Sequence, residues 1–303
     1  MGKDFYKIEF VSPVICAIMK KCIPYSWVYL TGRHKMAKSL EQVVAEGLIA
    51  DCSSLEELYV LWQTVHHMEE DGARETCYKE IDQRSFHIDG ILCPQDFSGV
   101  LYLLKEPSLK EYIEKGLTFP VITDIRLKFQ KKKYHAQDEY GYLTGMQRIL
   151  LGEEEKKMSD QKIANSFGIL YINKRGGKEV RDNVWLKYGY AYIEFIKRQI
   201  QLIRPRVIIC CGEDIFDLIT EEVFSRKKTL RTRVEQMIWK GGENEYQFTA
   251  DSSYRYTTRP DRISVIVVNM QNPRERKDGS GWIGLREFLD EFRQRIYSLP
   301  GTP

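Results

Sequence analysis

Four short stretches of the chain are near-continuously apolar and end abruptly in polar residues: GVLYLL at 99–104, FGILYIN at 167–173, RVIICCG at 206–212 and ISVIVVN at 263–269. Runs of this length, rich in β-branched residues and lacking alternation, suit strands covered on both faces, as in a parallel sheet of an α/β fold. Between them the apolar positions recur at helical spacing. YIEFIKRQIQLIRP sets Ile193, Ile196, Ile200 and Ile203 on one face and is stopped by Pro205, just ahead of the third run. LREFLDEFRQRI repeats the pattern with Leu285, Phe288, Leu289, Phe292 and Ile296.

The first ninety residues read differently. SSLEELYVLWQTVHHMEE places Leu55, Leu58, Tyr59, Trp62 and Val65 at helical spacing behind a serine cap, with Glu56 and Glu57 in the first turn. SFHIDGILCP predicts a short hairpin about Asp89-Gly90. EYQFTA and YRYTTR, separated by Asp251, Ser252 and Ser253, predict a second hairpin before the last core strand. The expected fold is α/β: a three-layer α/β/α sandwich around a mostly parallel sheet of four or slightly more strands. Residues 1–85 are expected as a helical extension packed on a domain spanning 86–303.

Composition narrows the function classes without choosing one. With 43% hydrophobic and 29% charged residues the chain is globular rather than disordered, and a net charge of +3 gives no bulk cationic signal for nucleic acid. Any such role falls to local clusters such as KFQKKK at 128–133 and RERK at 274–277. The apolar FVSPVICAIMKKCIPYSWVYL is split by Lys20 and Lys21 into pieces shorter than the ~20 residues of a membrane helix. It also lacks a signal-peptide pattern. Seven cysteines without a CxxC pair are expected as free thiols in the cytoplasm, and five histidines show no zinc-ligand spacing, so no metal or other cofactor is expected.

Ligands of open α/β sheets bind beyond the carboxyl ends of the strands. The four predicted strand ends carry Lys105-Glu106-Pro107-Ser108, Asn173-Lys174-Arg175-Gly176-Gly177, Gly212-Glu213-Asp214, and a loop containing Asn272-Pro273 and several cations. Two of the four therefore end in a polar residue followed by proline, which fixes the local backbone and the direction of the side chain.

LLKEPS, RPRVIICCGEDIFDLI and NMQNPRERKDGSG, in that order and at those strand ends, resemble the motifs of the uracil-DNA glycosylase superfamily. The resemblance covers roughly 86–298 and is nearest to uncharacterised bacterial branches with an Asp-Gly pair before the first strand, as Asp89-Gly90 here. It implies a monofunctional, metal-independent DNA glycosylase that flips a nucleotide and hydrolyses its N-glycosidic bond. Glu106 stands where several branches have Asn or Asp, Asn272 where others have His, and Arg274 where Ser follows the proline. These departures point to a modified or damaged base other than plain uracil. Relatives that act on modified viral DNA extend the expectation to phage defence.

The chemistry fits those residue types. An oxocarbenium-like sugar calls for a carboxylate that orients water and offsets positive charge, the expected role of Glu106. The departing base carries negative charge, which the Asn272 amide would stabilise. Ser108, Lys174, Arg175, Arg274, Arg276, Lys277 and Ser280 are expected on the phosphate-facing rim. Lys105, Pro107 and Pro273 flank the two catalytic candidates, and Asn173 sits at the second strand end; all four are expected near the base or its strand. Tyr134, Tyr140 and Tyr142 are candidate stacking platforms. Plainer readings exist: Glu106 as the cap of the following helix, Asn272-Pro273 as a simple turn, the tyrosines as packing residues. The expected partner is DNA and the expected state a monomer. The alternatives are a non-catalytic DNA-binding module of the same fold and a hydrolase of free nucleosides or nucleotides.

Overall fold

A computed structural model describes residues 38–68, 76–117, 122–126, 139–152, 158–178 and 183–224, the strands 236–241, 244–249, 253–257 and 264–270, and residues 286, 289 and 290. The chain divides into two compact units, Met1–Ala37 and Lys38–Pro303, and every described residue belongs to the second.

In chain order the second unit runs α1 (Leu40–Ala45), α2 (Leu48–Asp51), α3 (Leu55–Met68), β1 (Phe86–Ile88), β2 (Gly90–Ile91), β3 (Val100–Leu104), α4 (Lys110–Lys115), β4 (Ile122–Asp124), α5 (Glu139–Leu151), α6 (Asp160–Asn165) and β5 (Phe167–Tyr171). It continues with α7 (Val184–Ala191), α8 (Ile193–Ile203), β6 (Val207–Cys211), α9 (Glu213–Leu218, extended by a π turn to Val223), β7 (Gln236–Gly241), β8 (Asn244–Thr249), β9 (Ser253–Thr257) and β10 (Ser264–Met270).

The main sheet has the order β2-β5-β3-β6-β10-β9. The four apolar runs are its middle strands and all are parallel: Val100 registers with Phe167 and Val207, and Val267 with Ile208. The edge strands β2 and β9 run antiparallel to their neighbours.

Alternation along each middle strand divides the apolar side chains between two cores. Val100, Tyr102, Leu104, Ile169, Tyr171, Ile209 and Cys211 face Leu143, Met146 and Leu150 of α5. Leu101, Leu103, Leu170, Ile208 and Cys210 face Trp62 of α3, Trp185 of α7, Phe195, Ile196 and Ile200 of α8 and Ile215 of α9. Helices thus lie against both faces of a mostly parallel sheet, which explains why these strands show no alternation of apolar and polar residues.

The helical readings of 53–68 and 193–203 hold. Ser54 Oγ accepts from the Glu57 N–H, and Leu58, Tyr59, Trp62 and Val65 are buried. Helix α8 closes on Arg204 in the left-handed conformation (φ 53°), one residue before Pro205.

Residues 38–68 share a core with the sheet, Val43, Ile49, Leu58 and Trp62 packing in the same cluster as Leu101 and Ile208. Two expectations are corrected. Asp89-Gly90 closes no hairpin: β1 pairs in parallel with β4, whereas β2 joins β5 in the main sheet. The chain turns at Gly90 (φ 107°), and the Asp89 side chain goes inward to buried donors. Finally, β8 pairs with β7 rather than with β9, since the two-residue link between Gly241 and Asn244 favours the local hairpin, leaving β9 to extend the main sheet. The helix expected near 285–296 lies outside the described residues apart from single positions.

Candidate active site

Strand β3 is the first of the four parallel strands in sequence. The chain leaves it to form β5 on one side and then β6 on the other. Connections therefore diverge between β3 and β6, the switch point at which a crevice opens beyond the carboxyl ends of such sheets. Glu106 follows β3, and its side chain meets the loop that follows β5.

Backbone pairing continues past the strands and fixes the two loops there. Ile172 N donates to Leu104 O (2.8 Å), Asn173 N to Lys105 O (3.0 Å), Gly177 N to Pro107 O (2.9 Å) and Leu109 N to Gly177 O (2.9 Å). Ser108 and Gly177 form an isolated parallel bridge. Proline at 107 suits this arrangement, because its carbonyl accepts and no N–H is called for.

Glu106 is only 4% exposed. Its Oε1 accepts from the Tyr78 hydroxyl (3.0 Å) and its Oε2 from the Asn173 side-chain amide (2.9 Å). A carboxylate accepts only, so a hydroxyl and an amide N–H are matched partners. A Cβ at Gly177 would lie 1.6 Å from Oε1, so a side chain here would displace the carboxylate from this position. The helix-cap reading of Glu106 is set aside, since α4 begins only at Lys110 and its N-cap residue is Leu109.

Asn173 is fully buried and its amide is used within the loop. Nδ2 donates to Glu106 and to Gly176 O (3.1 Å), and Oδ1 accepts from Arg175 N (3.0 Å). Lys105 is half-buried, with Nζ 5.5 Å from the ring centroid of Trp185. Ser108 is half-buried and Pro107 buried.

Lys174 and Arg175 do not belong to a phosphate-facing rim. Lys174 has 0% exposure, its Nζ lies 2.5 Å from Asp89 Oδ2, and it sits 5.3 Å from the Trp62 ring centroid. Burial pushes its ammonium below the usual lysine range, while Asp89 pulls it the other way. Arg175 has 1% exposure; it donates to Gln83 O (2.8 Å), Thr76 Oγ1 (2.9 Å) and Tyr192 OH (3.2 Å), and stacks over Tyr188 and Tyr192. Both cations are enclosed because their partners come from residues far away in sequence. Tyr140 and Tyr142 are buried in α5 against the sheet, which makes them packing residues rather than stacking platforms.

Tyr134, Asn272, Pro273, Arg274, Arg276, Lys277 and Ser280 lie outside the described residues. Among the described residues no group of three or more His, Cys, Asp or Glu is placed to hold a metal ion, and no helix is long and apolar enough to cross a membrane. The five described cysteines, Cys52, Cys77, Cys93, Cys210 and Cys211, are free. No protein-family model matches the chain, and no curated protein matches it.

Two residues of this site escaped the sequence reading. Gly177 carried a signal, the Gly-Gly pair after the second strand, which the structure ties to space for Glu106. Tyr78 carried none, because residues 76–83 show no apolar period of either kind.

Proposed function

We propose that the protein is a monofunctional DNA glycosylase, built as a three-layer α/β/α sandwich, that hydrolyses the N-glycosidic bond of a modified or damaged base. The observation that supports it best is Glu106: a buried carboxylate just past the carboxyl end of a parallel strand, accepting from the Tyr78 hydroxyl and the Asn173 amide. Burying a carboxylate is costly, and a strand end built around one is the kind of investment found at working sites.

In the reaction Glu106 orients a water molecule and accepts its proton. The water oxygen bonds to the anomeric carbon as the bond to the base nitrogen breaks, and the electron pair leaves with the base. The amide of Asn272 is the proposed stabiliser of that departing charge. Lys105 and Ser108 stand beside Glu106 and remain the described candidates for contact with the strand, whereas Pro107, Lys174, Arg175 and Asn173 act inside the fold. The departures of Glu106 and Arg274 from the resembling motifs favour a modified base, including the bulky bases of phage DNA, over plain uracil.

A second reading has its own observation. Because Glu106 is 4% exposed and both its oxygens accept hydrogen bonds, the carboxylate could serve as an internal brace in a DNA-binding module without turnover. One experiment separates the two. The protein is incubated with duplexes carrying uracil, deaminated purines or glucosylated hydroxymethylcytosine, and released bases are measured by mass spectrometry. Glycosylase action predicts one released base and alkali-labile abasic sites, both abolished in Glu106→Gln. DNA binding with a steep salt dependence but no released base across the panel selects the binding module. Base release from free nucleosides alone, with no duplex affinity, selects the nucleoside hydrolase.

A further inference from the structure

Residues 76–83 form a strap against the loops that follow β3 and β5. Its apolar side chains Tyr78 and Ile81 pack on Leu109, with Tyr112 and Val184 around them. Both ends are tied by one side chain: Arg175 donates from Nη1 to Thr76 Oγ1 (2.9 Å) and from Nε to Gln83 O (2.8 Å). A planar guanidinium carries donors on separate nitrogens in a fixed fork, so it can hold two well-separated points in one geometry, whereas an ammonium donates from a single atom. Between those points the strap delivers the Tyr78 hydroxyl to Glu106 Oε1 at 3.0 Å.

Arg175 also acts on the opposite oxygen. Its main-chain N–H donates to Asn173 Oδ1 (3.0 Å), which fixes the amide so that Nδ2 faces Glu106 Oε2 (2.9 Å). A reversed amide would set an oxygen against the Glu106 carboxylate and an N–H against the Arg175 N–H. One residue therefore governs these two donors, through its side chain on one side and its backbone on the other.

We infer that Tyr78 and Arg175 are positioning residues: Arg175 latches the 76–83 strap so that Tyr78 aims the Glu106 carboxylate opposite Asn173. The inference rests on the proposed role of Glu106 for its consequences in turnover, but the positioning itself can be read without turnover. Other charged groups on these elements have partners of their own, Asp82 with Arg84 among them. Lys174 pairs with Asp89, Lys178 with Glu80 beneath the Tyr78 ring, and Lys105 lies over Trp185. His87 Nδ1 is 2.9 Å from Lys174 O.

The test uses the full chain carrying carbonyl-13C glutamate, with the Glu106 carboxyl signal assigned by its disappearance in Glu106→Gln. In Tyr78→Phe the ionised form loses a donor, so the titration midpoint of Glu106 moves to higher pH. Thr76→Val, which removes one end of the latch without changing side-chain shape, moves it in the same direction by a smaller amount. With a substrate base identified, Tyr78→Phe lowers kcat roughly 10-fold with little change in KM, the size expected for one hydrogen bond to a charged group. A role confined to packing would leave the midpoint and kcat of Tyr78→Phe at the parent values, and that result overturns the inference. If Tyr78→Phe does not fold, Thr76→Val decides alone: an unmoved midpoint overturns the latch. A shifted midpoint in a protein that releases no base upholds the positioning and removes the glycosylase reading instead.

Discussion

Gly177 lies closest to the carboxylate on which the site depends. Its Cα occupies a place where any Cβ would fall 1.6 Å from Glu106 Oε1 and 1.8 Å from Cδ. The neighbouring backbone cannot yield, because Gly177 N and O are both paired to the loop that carries Glu106. In Gly177→Ala the Glu106 side chain must therefore rotate away from Tyr78 and Asn173. The expected outcome is a stability loss of about 1–3 kcal/mol, the usual range for overpacking, with base release reduced as far as in Glu106→Gln. Thermal unfolding and the base-release assay measure the two effects. An alanine variant with full activity would mean that Glu106 works from a different rotamer. At this scale the sequence is informative where chemistry is local and silent where it is not. Glu106-Pro107 was recognisable as a fixed carboxylate. The burial of Lys174 was not, because its counter-charge Asp89 lies 85 residues earlier and cation burial depends entirely on such a partner.

Among the elements, helices α3 and α8 were legible because each is buried on one side, which writes a period into its sequence, and the four parallel strands because burial on both faces writes an unbroken apolar run. The strap at 76–83 has no period to read. Its position depends on Arg175, 92 residues from Gln83 and 99 from Thr76. The pairing of β8 was misread for a related reason: two strands of similar composition flank it, and apolar pattern does not choose between partners. The strap supplies its own reporter in Cys77. That thiol is 8% exposed, contacts Tyr78 O (3.4 Å) and Ile81 O (3.5 Å), and burial pushes it above the usual cysteine range. Cys77 should therefore react with a maleimide more slowly than the half-exposed Cys93, as followed by mass spectrometry of the two peptides. Thr76→Val, with one latch bond gone, is expected to speed labelling of Cys77 several-fold and leave Cys93 unchanged. Equal rates at Cys77 in both proteins would show that Arg175 does not hold the strap closed.

Across the whole unit, one carboxylate joins parts that the sheet alone would leave separate. Asp89, at the junction of β1 and β2, accepts from Tyr171 N at the end of β5 (2.7 Å) and from Lys174 (2.5 Å) on Oδ2. On Oδ1 it accepts from Gln199 of α8 (2.6 Å) and Tyr59 of α3 (3.3 Å). Burial and the Asp89 charge hold the Tyr59 hydroxyl well above the usual tyrosine range, so it remains a donor. All four partners donate, so Asp89→Asn introduces an NH2 group where every neighbour already offers a hydrogen. It also leaves the Lys174 ammonium buried without a counter-charge. The expected cost is about 3–5 kcal/mol, read as a lower denaturation midpoint in urea. Removing the other partner is expected to cost less. In Lys174→Met the carboxylate keeps three of its donors, and the thioether chain remains against the Trp62 face that the ammonium occupied. The decisive comparison is therefore the order of the two variants. If Lys174→Met proves the more damaging, the ion pair rather than the four-donor carboxylate ties α3, α8 and the end of β5 together.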